Sequence, residues 1–324
     1  MITKNNQSKE PQKKKPKQKL KSPLPMRDGV SASRVWLPKD TNDEWLTILD
    51  FLIERFPFIS SEILQDRMSR GDIVDETGKP FNKTTPYQSE LFLFYYREIP
   101  NEPKIPFKEE ILFKNENIIV VDKPHFVPVT PTGRYVKESL LARLKHQYQN
   151  ENISPIHRLD RETAGIVLFT CNPKVRGAYQ TLFQKREVDK TYEAIAPASL
   201  SDLKFPLTHH SRIIKSEPFF IMKEDENATT EEMNSETKLS ILETKGKFAK
   251  YRLKPVTGKQ HQLRVHMMSL GIPILNDPFY PELLPCKGED YSSPLQLLAK
   301  SIAFIDPISG EERYFESKQS LKLK

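Results

Sequence analysis

The chain has 324 residues, 37% of them hydrophobic and 29% charged, with a formal net charge of +7. That length suits two domains, or one with an appendage, and no run approaches the ~18 apolar residues that a membrane span needs. Cys171 and Cys286 are the only cysteines and neither lies in a Cys-x-x-Cys pattern, which argues against a disulfide framework and for a reducing, cytoplasmic setting.

The charge is unevenly spread. Residues 1–27 hold eight lysines and Arg27 against Glu10, a balance of +8, which leaves −1 for the rest of the chain. This stretch lacks an apolar h-region, so no secretory signal is expected. Residues 1–30, almost without large apolar side chains, are expected to be a disordered Lys-rich tail that can meet polyanions non-specifically. A nucleic-acid surface on the folded part must therefore come from a local basic patch.

Residues 31–100 form a first compact unit. Trp45, Ile48, Leu49 and Leu52 fall at helical spacing behind possible caps at Thr41 and Asn42. Ser60 is the expected N-cap of a second helix that carries Ile63, Leu64 and Met68 and stops at Gly71. Ile73-Val74 and Leu91–Tyr96 are strand-like, and Arg67 and Arg70 are the basic candidates of the second helix. Pro100, Pro103 and Pro106 then predict an extended linker.

Residues 101–324 carry the rest. Ile111–Asp122 is strand-like and is stopped by Lys123-Pro124. Ser139–Tyr148 is expected to be helical with Leu140, Leu141, Leu144 and Tyr148 inward, and Gly177–Lys185 is expected to be a further helix. On a strand over Lys190–Ile195, the residues Lys190, Tyr192 and Ala194 share one face. Residues 224–237 are acidic and free of aromatics, which predicts a mobile surface loop turned away from any polyanionic substrate. Ala249, Tyr251 and Leu253 alternate on a strand that leads into Thr257-Gly258-Lys259-Gln260-His261-Gln262-Leu263-Arg264-Val265-His266.

The centre of the chain is Ile156-His157-Arg158-Leu159-Asp160-Arg161-Glu162-Thr163-Ala164-Gly165, followed by the apolar run Ile166–Phe169. The run predicts a buried strand, and the polar stretch before it a loop. Arg158 and Arg161 flank Asp160 and favour its charged form. An ionised, positioned carboxylate can act as nucleophile or base, although a salt-bridged loop aspartate has the same local pattern.

His157–Gly165 resembles the H-R-L-D-x-x-T-[SA]-G signature of RluA-type RNA pseudouridine synthases, and the resemblance runs from about Ile111 to about Glu312. Lys190-Thr191-Tyr192-Glu193-Ala194 resembles the family's K-x-Y-x-A block, and Thr257–His266 its T-G-R-x-H-Q-[IL]-R-x-H block with Lys259 in place of the first arginine. Lysine keeps the charge there but loses the planar fork. Pro273–Tyr280 resembles P-I-x-G-D-x-x-Y with Asn276 for glycine. Leu297–Phe304 with Asp306-Pro307 resembles the closing block, with Leu298 and Asp306 where the family has histidines.

The resemblance implies an α+β fold, with a mixed, largely antiparallel sheet and flanking helices in the catalytic domain. The small N-terminal α/β unit resembles the RNA-binding domain named after ribosomal protein S-four. It also implies isomerisation of uridine to pseudouridine in structured RNA, ribosomal RNA first and transfer RNA next, by a monomer. Asp160 would be the essential carboxylate, Tyr192 the ring against the target base and Arg264 the partner of Asp160. Arg158, Arg161, Lys190, Lys259, Arg67 and Arg70 would meet the substrate. The alternative is a non-catalytic RNA-binding or assembly protein on a decayed synthase scaffold. A glycoside hydrolase is disfavoured, since that chemistry uses two carboxylates flanking the bond and this motif offers one.

His261 and His266 have a zinc-compatible spacing, but no cysteine pair or nearby acidic cluster accompanies them and His157. Hydrogen-bonded structural histidines are expected, without a metal. No GxGxxG, P-loop or GxSxG is present, so no organic cofactor is expected.

Overall fold

The computed structural model describes residues 21–198, 203–285 and 288–323. The first twenty residues of the expected tail, and Cys286, lie outside them. The chain divides into two compact units, one holding Ser31–Tyr96 and the other Met26–Val30 with Arg97–Lys324.

The first unit contains β1 (Ser33–Leu37), α1 (Ile48–Arg55), α2 (Ser61–Ser69), β2 (Ile73–Val74) and β3 (Leu91–Tyr95). Its strands form an antiparallel sheet in the order β1-β3-β2. The N-cap of helix α1 is Thr47, beyond the expected caps Thr41 and Asn42. Thr47 forms a capping box with Asp50: the Thr47 hydroxyl accepts from the Asp50 amide, and the Asp50 carboxylate accepts from the Thr47 amide, which satisfies two otherwise orphaned donors. Trp45 therefore precedes the helix and packs edge-on against Phe51. Ser60 caps α2 as expected. Leu64, Arg67 and Met68 fall at i, i+3 and i+4, so all three face inward and are buried.

The second unit contains β4 (Glu110–Lys114), β5 (Ile118–Lys123), α3 (Leu140–Tyr148), β6 (Ser154–Pro155), β7 (Ala164–Thr170), α4 (Arg176–Lys185) and β8 (Val188–Pro197). It continues with β9 (Leu207–Ser211), β10 (Ile213–Lys215), β11 (Met222–Glu224), β12 (Ser235–Lys245), β13 (Phe248–Pro255), α5 (Gln262–Ser269), β14 (Leu297–Ile305) and β15 (Glu312–Glu316). Ten strands form one sheet with the path β4-β5-β7-β14-β8-β13-β12-β9, with β15 on β14 and β6 on β7. Among the described strands of this sheet, only β7 and β14 pair in parallel. The fold is α+β with a largely antiparallel sheet.

The expected strand over 111–122 is two strands. The Asn115 side-chain carbonyl accepts from the amides of Asn117 and Ile118 and turns the chain between them. Ile118–Val121 and Ile166–Phe169 are almost wholly buried at the centre, each large side chain contributing about 1.5–3 kcal/mol on burial. At the head of β7, Gly165 has φ +110°, and a Cβ there would lie 2.2 Å from the Ala299 carbonyl oxygen. Only glycine lets β14 run this close to the start of β7.

Two other expectations change. Residues 26–30 do not behave as tail: Arg27 and Val30 exchange backbone hydrogen bonds, Gly29 lies against the Ala142 carbonyl, and Val30 is buried with Val136 and Ala142. The segment around Glu102 is extended but clamped, because its carboxylate accepts from the amides of Val136, Lys137 and Glu138.

The acidic stretch is not featureless. Glu224 closes β11 and its carboxylate meets His209 Nε2, Thr229 and Glu232 form a capping box over a single 3-10 turn at Thr230–Glu232, and Arg212 pairs with Glu232 and Asp225.

Candidate active site

Three segments converge on Asp160: the loop between β6 and β7, the outer part of β8, and the turn that opens α5. The loop is pinned from beneath. Lys123, the last residue of β5 and fully buried, donates from Nζ to the carbonyls of Pro124, Val127 and Arg161 at 3.0, 2.8 and 3.1 Å. Burial pushes its amine down to about 7, against the pull of Glu162 and Asp160. His125 Nδ1 sits 2.7 Å from the Glu162 carbonyl oxygen. On the other side His157 stacks on Phe183 and accepts from the Leu168 amide through Nε2. Burial, aided by Lys190, lowers its pKa to about 3, so it is a neutral acceptor that fixes the loop to β7.

Arg264, 1% exposed on α5, is shared between two carboxylates. Its Nε and Nη2 donate to the two oxygens of Asp277 at 2.8 and 2.6 Å, and its Nη1 donates to Asp160 Oδ2 at 2.9 Å. Asp277 accepts in addition from the amides of Phe279 and Tyr280. The guanidinium is thus oriented by a planar fork that a lysine could not match. Burial alone would raise the Asp160 carboxyl, but the positive charge of Arg264, with His261 and Lys123 behind it, holds it below its ordinary value. Asp160 is ionised at neutral pH.

His261 approaches the same oxygen, with Nε2 3.8 Å from Asp160 Oδ2. The Tyr280 hydroxyl accepts from the Met222 amide at 2.9 Å and lies 2.9 Å from His261 Nδ1. A hydroxyl proton given to Nδ1 would place the imidazole proton on Nε2, facing Asp160.

Asp160 opens into a cavity of about 910 Å³. Among the described residues it is the one carboxylate in the lining, where Arg158, Arg161, Arg186, Lys190, Lys259 and Arg264 supply cations. Tyr192, half-buried on β8, lines the same cavity. Burial and the negative charge of Asp160 both raise its phenol pKa, so the hydroxyl stays protonated. The arrangement offers one ionised nucleophile or base, an aromatic face and a ring of cations suited to a phosphate polymer.

The RNA pseudouridylate synthase family profile matches residues 117–269. An RNA pseudouridine synthase of Synechocystis, named as uncharacterized, is 30% identical over 234 residues, covering 72% of this chain and 79% of its own. The chain belongs to the RNA pseudouridine synthase family. The dual-specificity RNA pseudouridine synthase RluA of Vibrio cholerae is 30% identical over 217 residues, covering 64% of this chain and 82% of its own. The solved structure of human RNA pseudouridylate synthase domain containing 1 superposes with a TM-score of 0.54 at 24% identity, covering 67% of this chain and 86% of that one. That likeness supports the fold. The family's activity is an isomerisation carried out on RNA.

In this pseudouridine synthase the residues singled out in the second unit, Asp160, Tyr192, Arg264, Arg158, Arg161, Lys190 and Lys259, all line one cavity. Arg161 is partly occupied elsewhere, with Nε donating to the Phe126 carbonyl and its guanidinium 5.0 Å over the Tyr135 ring. Arg67 departs from expectation. Arg67 is 4% exposed, on the inward face of α2, and so presents no cation at the surface, whereas Arg70 stays exposed while paired with Asp66 and Asp72. The acidic stretch does not turn wholly away either, since Asn234 at its end reaches the cavity wall.

Asp277, Lys123, His261 and Tyr280 lie in stretches the sequence marks without giving them a role in the site, and Arg186 is not marked at all. Arg186 caps α4 in a left-handed conformation, and no local pattern marks it as facing the site. His157, His261 and His266 do not meet. His266 instead bonds Ser211 and Ser235 through Nε2 and Thr237 through Nδ1. Its ligand atoms, with those of His209 and Glu224, lie within 4.8 Å of one another. Hydroxyls already occupy both His266 nitrogens and His209 pairs with Glu224, so the trio is complete as a hydrogen-bonded cluster. Of the family-pattern departures, Asn276 holds φ +62° and so keeps the turn, and Asp306 accepts from the Tyr179 hydroxyl.

Proposed function

We propose that this enzyme isomerises uridines in structured RNA, ribosomal or transfer RNA, with Asp160 as the essential group. The observation that carries the reading is the single ionised carboxylate in a cavity lined by six cations. Hydrolysis of a glycoside would call for a second carboxylate across the bond. Asp277, which shares Arg264 with Asp160, is fully buried in the guanidinium fork. In the proposed reaction the bond between ribose carbon 1 and uracil nitrogen 1 breaks, with Asp160 attacking the ribose or removing its carbon 2 proton. The uracil turns, carbon 5 bonds to ribose carbon 1 as the aspartyl ester breaks or the carbon 2 proton returns, and the proton lost from carbon 5 is balanced by one gained at nitrogen 1. The uridine must first leave its stack. Arg158, exposed beside Asp160, fills the vacated position, Arg264 orients the carboxylate, and Tyr192 stacks on the uracil and relays a proton.

The N-terminal unit, with two helices on a small antiparallel sheet, is proposed as an RNA-binding appendage of the ribosomal-protein-S-four kind, and the Lys-rich tail as a non-specific contact. A cytoplasmic setting and a monomeric state are proposed from the sequence alone. No helix among the described residues is long and apolar enough to cross a membrane.

Because the carbon 5 hydrogen is lost, RNA labelled with tritium at uracil carbon 5 reports turnover as tritium released to water. Purified protein is expected to release it from ribosomal or transfer RNA. Tyr192→Phe is expected to bind RNA as the wild type does and to release tritium more slowly, since the ring is kept and the hydroxyl lost. RNA binding without any release would favour the decayed-scaffold alternative.

A further inference from the structure

The hairpin formed by β10 and β11 has a tip that the site described so far does not use. Its base is firmly seated: Ile213 and Met222 are buried with Val265 and Tyr280, and the Met222 amide donates to the Tyr280 hydroxyl that also meets His261. The turn is closed by hydrogen bonds from Ser216 to Ile221 and from Ile221 to Pro218. On this fixed base Phe219 is 79% exposed. An isolated exposed apolar residue is ordinary, but Phe219 is not isolated. It lies edge-on to Phe220 with centroids 5.6 Å apart, Phe220 lies 5.6 Å from Phe279, and Phe279 lies 5.5 Å from His261. Gln260, in the cavity wall, donates to the Phe220 carbonyl. An aromatic row therefore runs from the Asp160 carboxylate to water. Exposed Lys215 and Lys223 flank the tip, with Glu217 as the acid there.

We propose that Phe219 is a stacking platform for an unpaired nucleobase of the RNA, next to the uridine held over Asp160. The inference rests on the proposed function and adds a contact to it. A protruding ring on a rigid hairpin offers a π-face to any base, and the flanking lysines meet the adjoining phosphates. The hairpin need not order on binding, so little of the stacking free energy is lost to conformational entropy.

The test uses fluorescein-labelled single-stranded decauridylate and the full chain. Phe219→Ala, at a position that contributes nothing to the core, is expected to bind roughly tenfold more weakly with an unchanged salt slope, because no phosphate contact is lost. Phe219→Trp is expected to restore binding and to show indole quenching on RNA addition beyond that of Trp36 and Trp45 in the wild type. Wild-type affinity in Phe219→Ala, or no added quenching in Phe219→Trp, overturns the proposal. The tritium assay separates the two claims. Turnover by wild type with no Phe219 effect on binding removes the platform and keeps the function. Phe219-dependent binding without turnover does the reverse.

Discussion

Asp160→Asn is expected to bring tritium release below detection while RNA affinity holds or rises. The substitution keeps the size of the side chain and an oxygen for the Arg264 Nη1 bond, but it removes the charge and the nucleophilic oxygen. No other carboxylate lines the cavity among the described residues, so no neighbour can take over. One negative charge is also removed from a pocket that meets phosphate, which favours binding or leaves it unchanged. The fold should tolerate the change, since Arg264 retains both bonds to Asp277. The check is release and binding measured side by side, with mass spectrometry to exclude deamidation back to aspartate. Substantial turnover by the asparagine protein would remove Asp160 from the mechanism.

Arg264→Ala is expected to fail on both stability and activity. It strands Asp277 with no exposed side-chain surface, and removing one partner of a buried ion pair costs about 3–5 kcal/mol. Much of a domain's net stability is of that size, so a second variant is needed for the chemistry. Arg264→Lys keeps the charge and loses the fork to Asp277, leaving Asp160 without a fixed donor. It is expected to fold and to turn over about a hundredfold or more slowly, in the range seen when one preorganised donor is removed. Urea unfolding with the tritium assay checks both. Wild-type turnover by Arg264→Lys would show that the bidentate geometry is dispensable.

The site was legible where chemistry and local pattern coincide. Asp160 sits in a motif whose glycine, Gly165, is fixed by the approach of β14, and Tyr192 is placed by strand alternation. The Asp160–Arg264 pair, 104 residues apart, was reached through resemblance, because no local pattern joins the two. The roles of Asp277 and Lys123 were not legible because they are exercised in burial, by Asp277 on the Arg264 side chain 13 residues away and by Lys123 on the Arg161 carbonyl 38 residues away. Lys123 stands beside a proline and looks like the end of a strand, yet it holds the carbonyl of Arg161. Arg67 misled in the opposite way. A basic residue on a short helix looks solvated until Leu64 and Met68, three positions before it and one after, are seen to set its face inward. Helix α1 began late because Thr47 and Asp50 form a capping box that outcompetes Thr41 and Asn42. Strand β1 was missed because five residues with only Val35 and Leu37 on the inner face give too short an alternation to stand out.

The most direct measurement is a map of pseudouridine in ribosomal and transfer RNA from cells lacking the gene, complemented with either the wild-type or the Asp160→Asn protein. The account predicts at least one uridine that is pseudouridine with the wild type and unmodified both without the gene and with the asparagine protein. Identical maps in all three, or a position restored equally by Asp160→Asn, would contradict it.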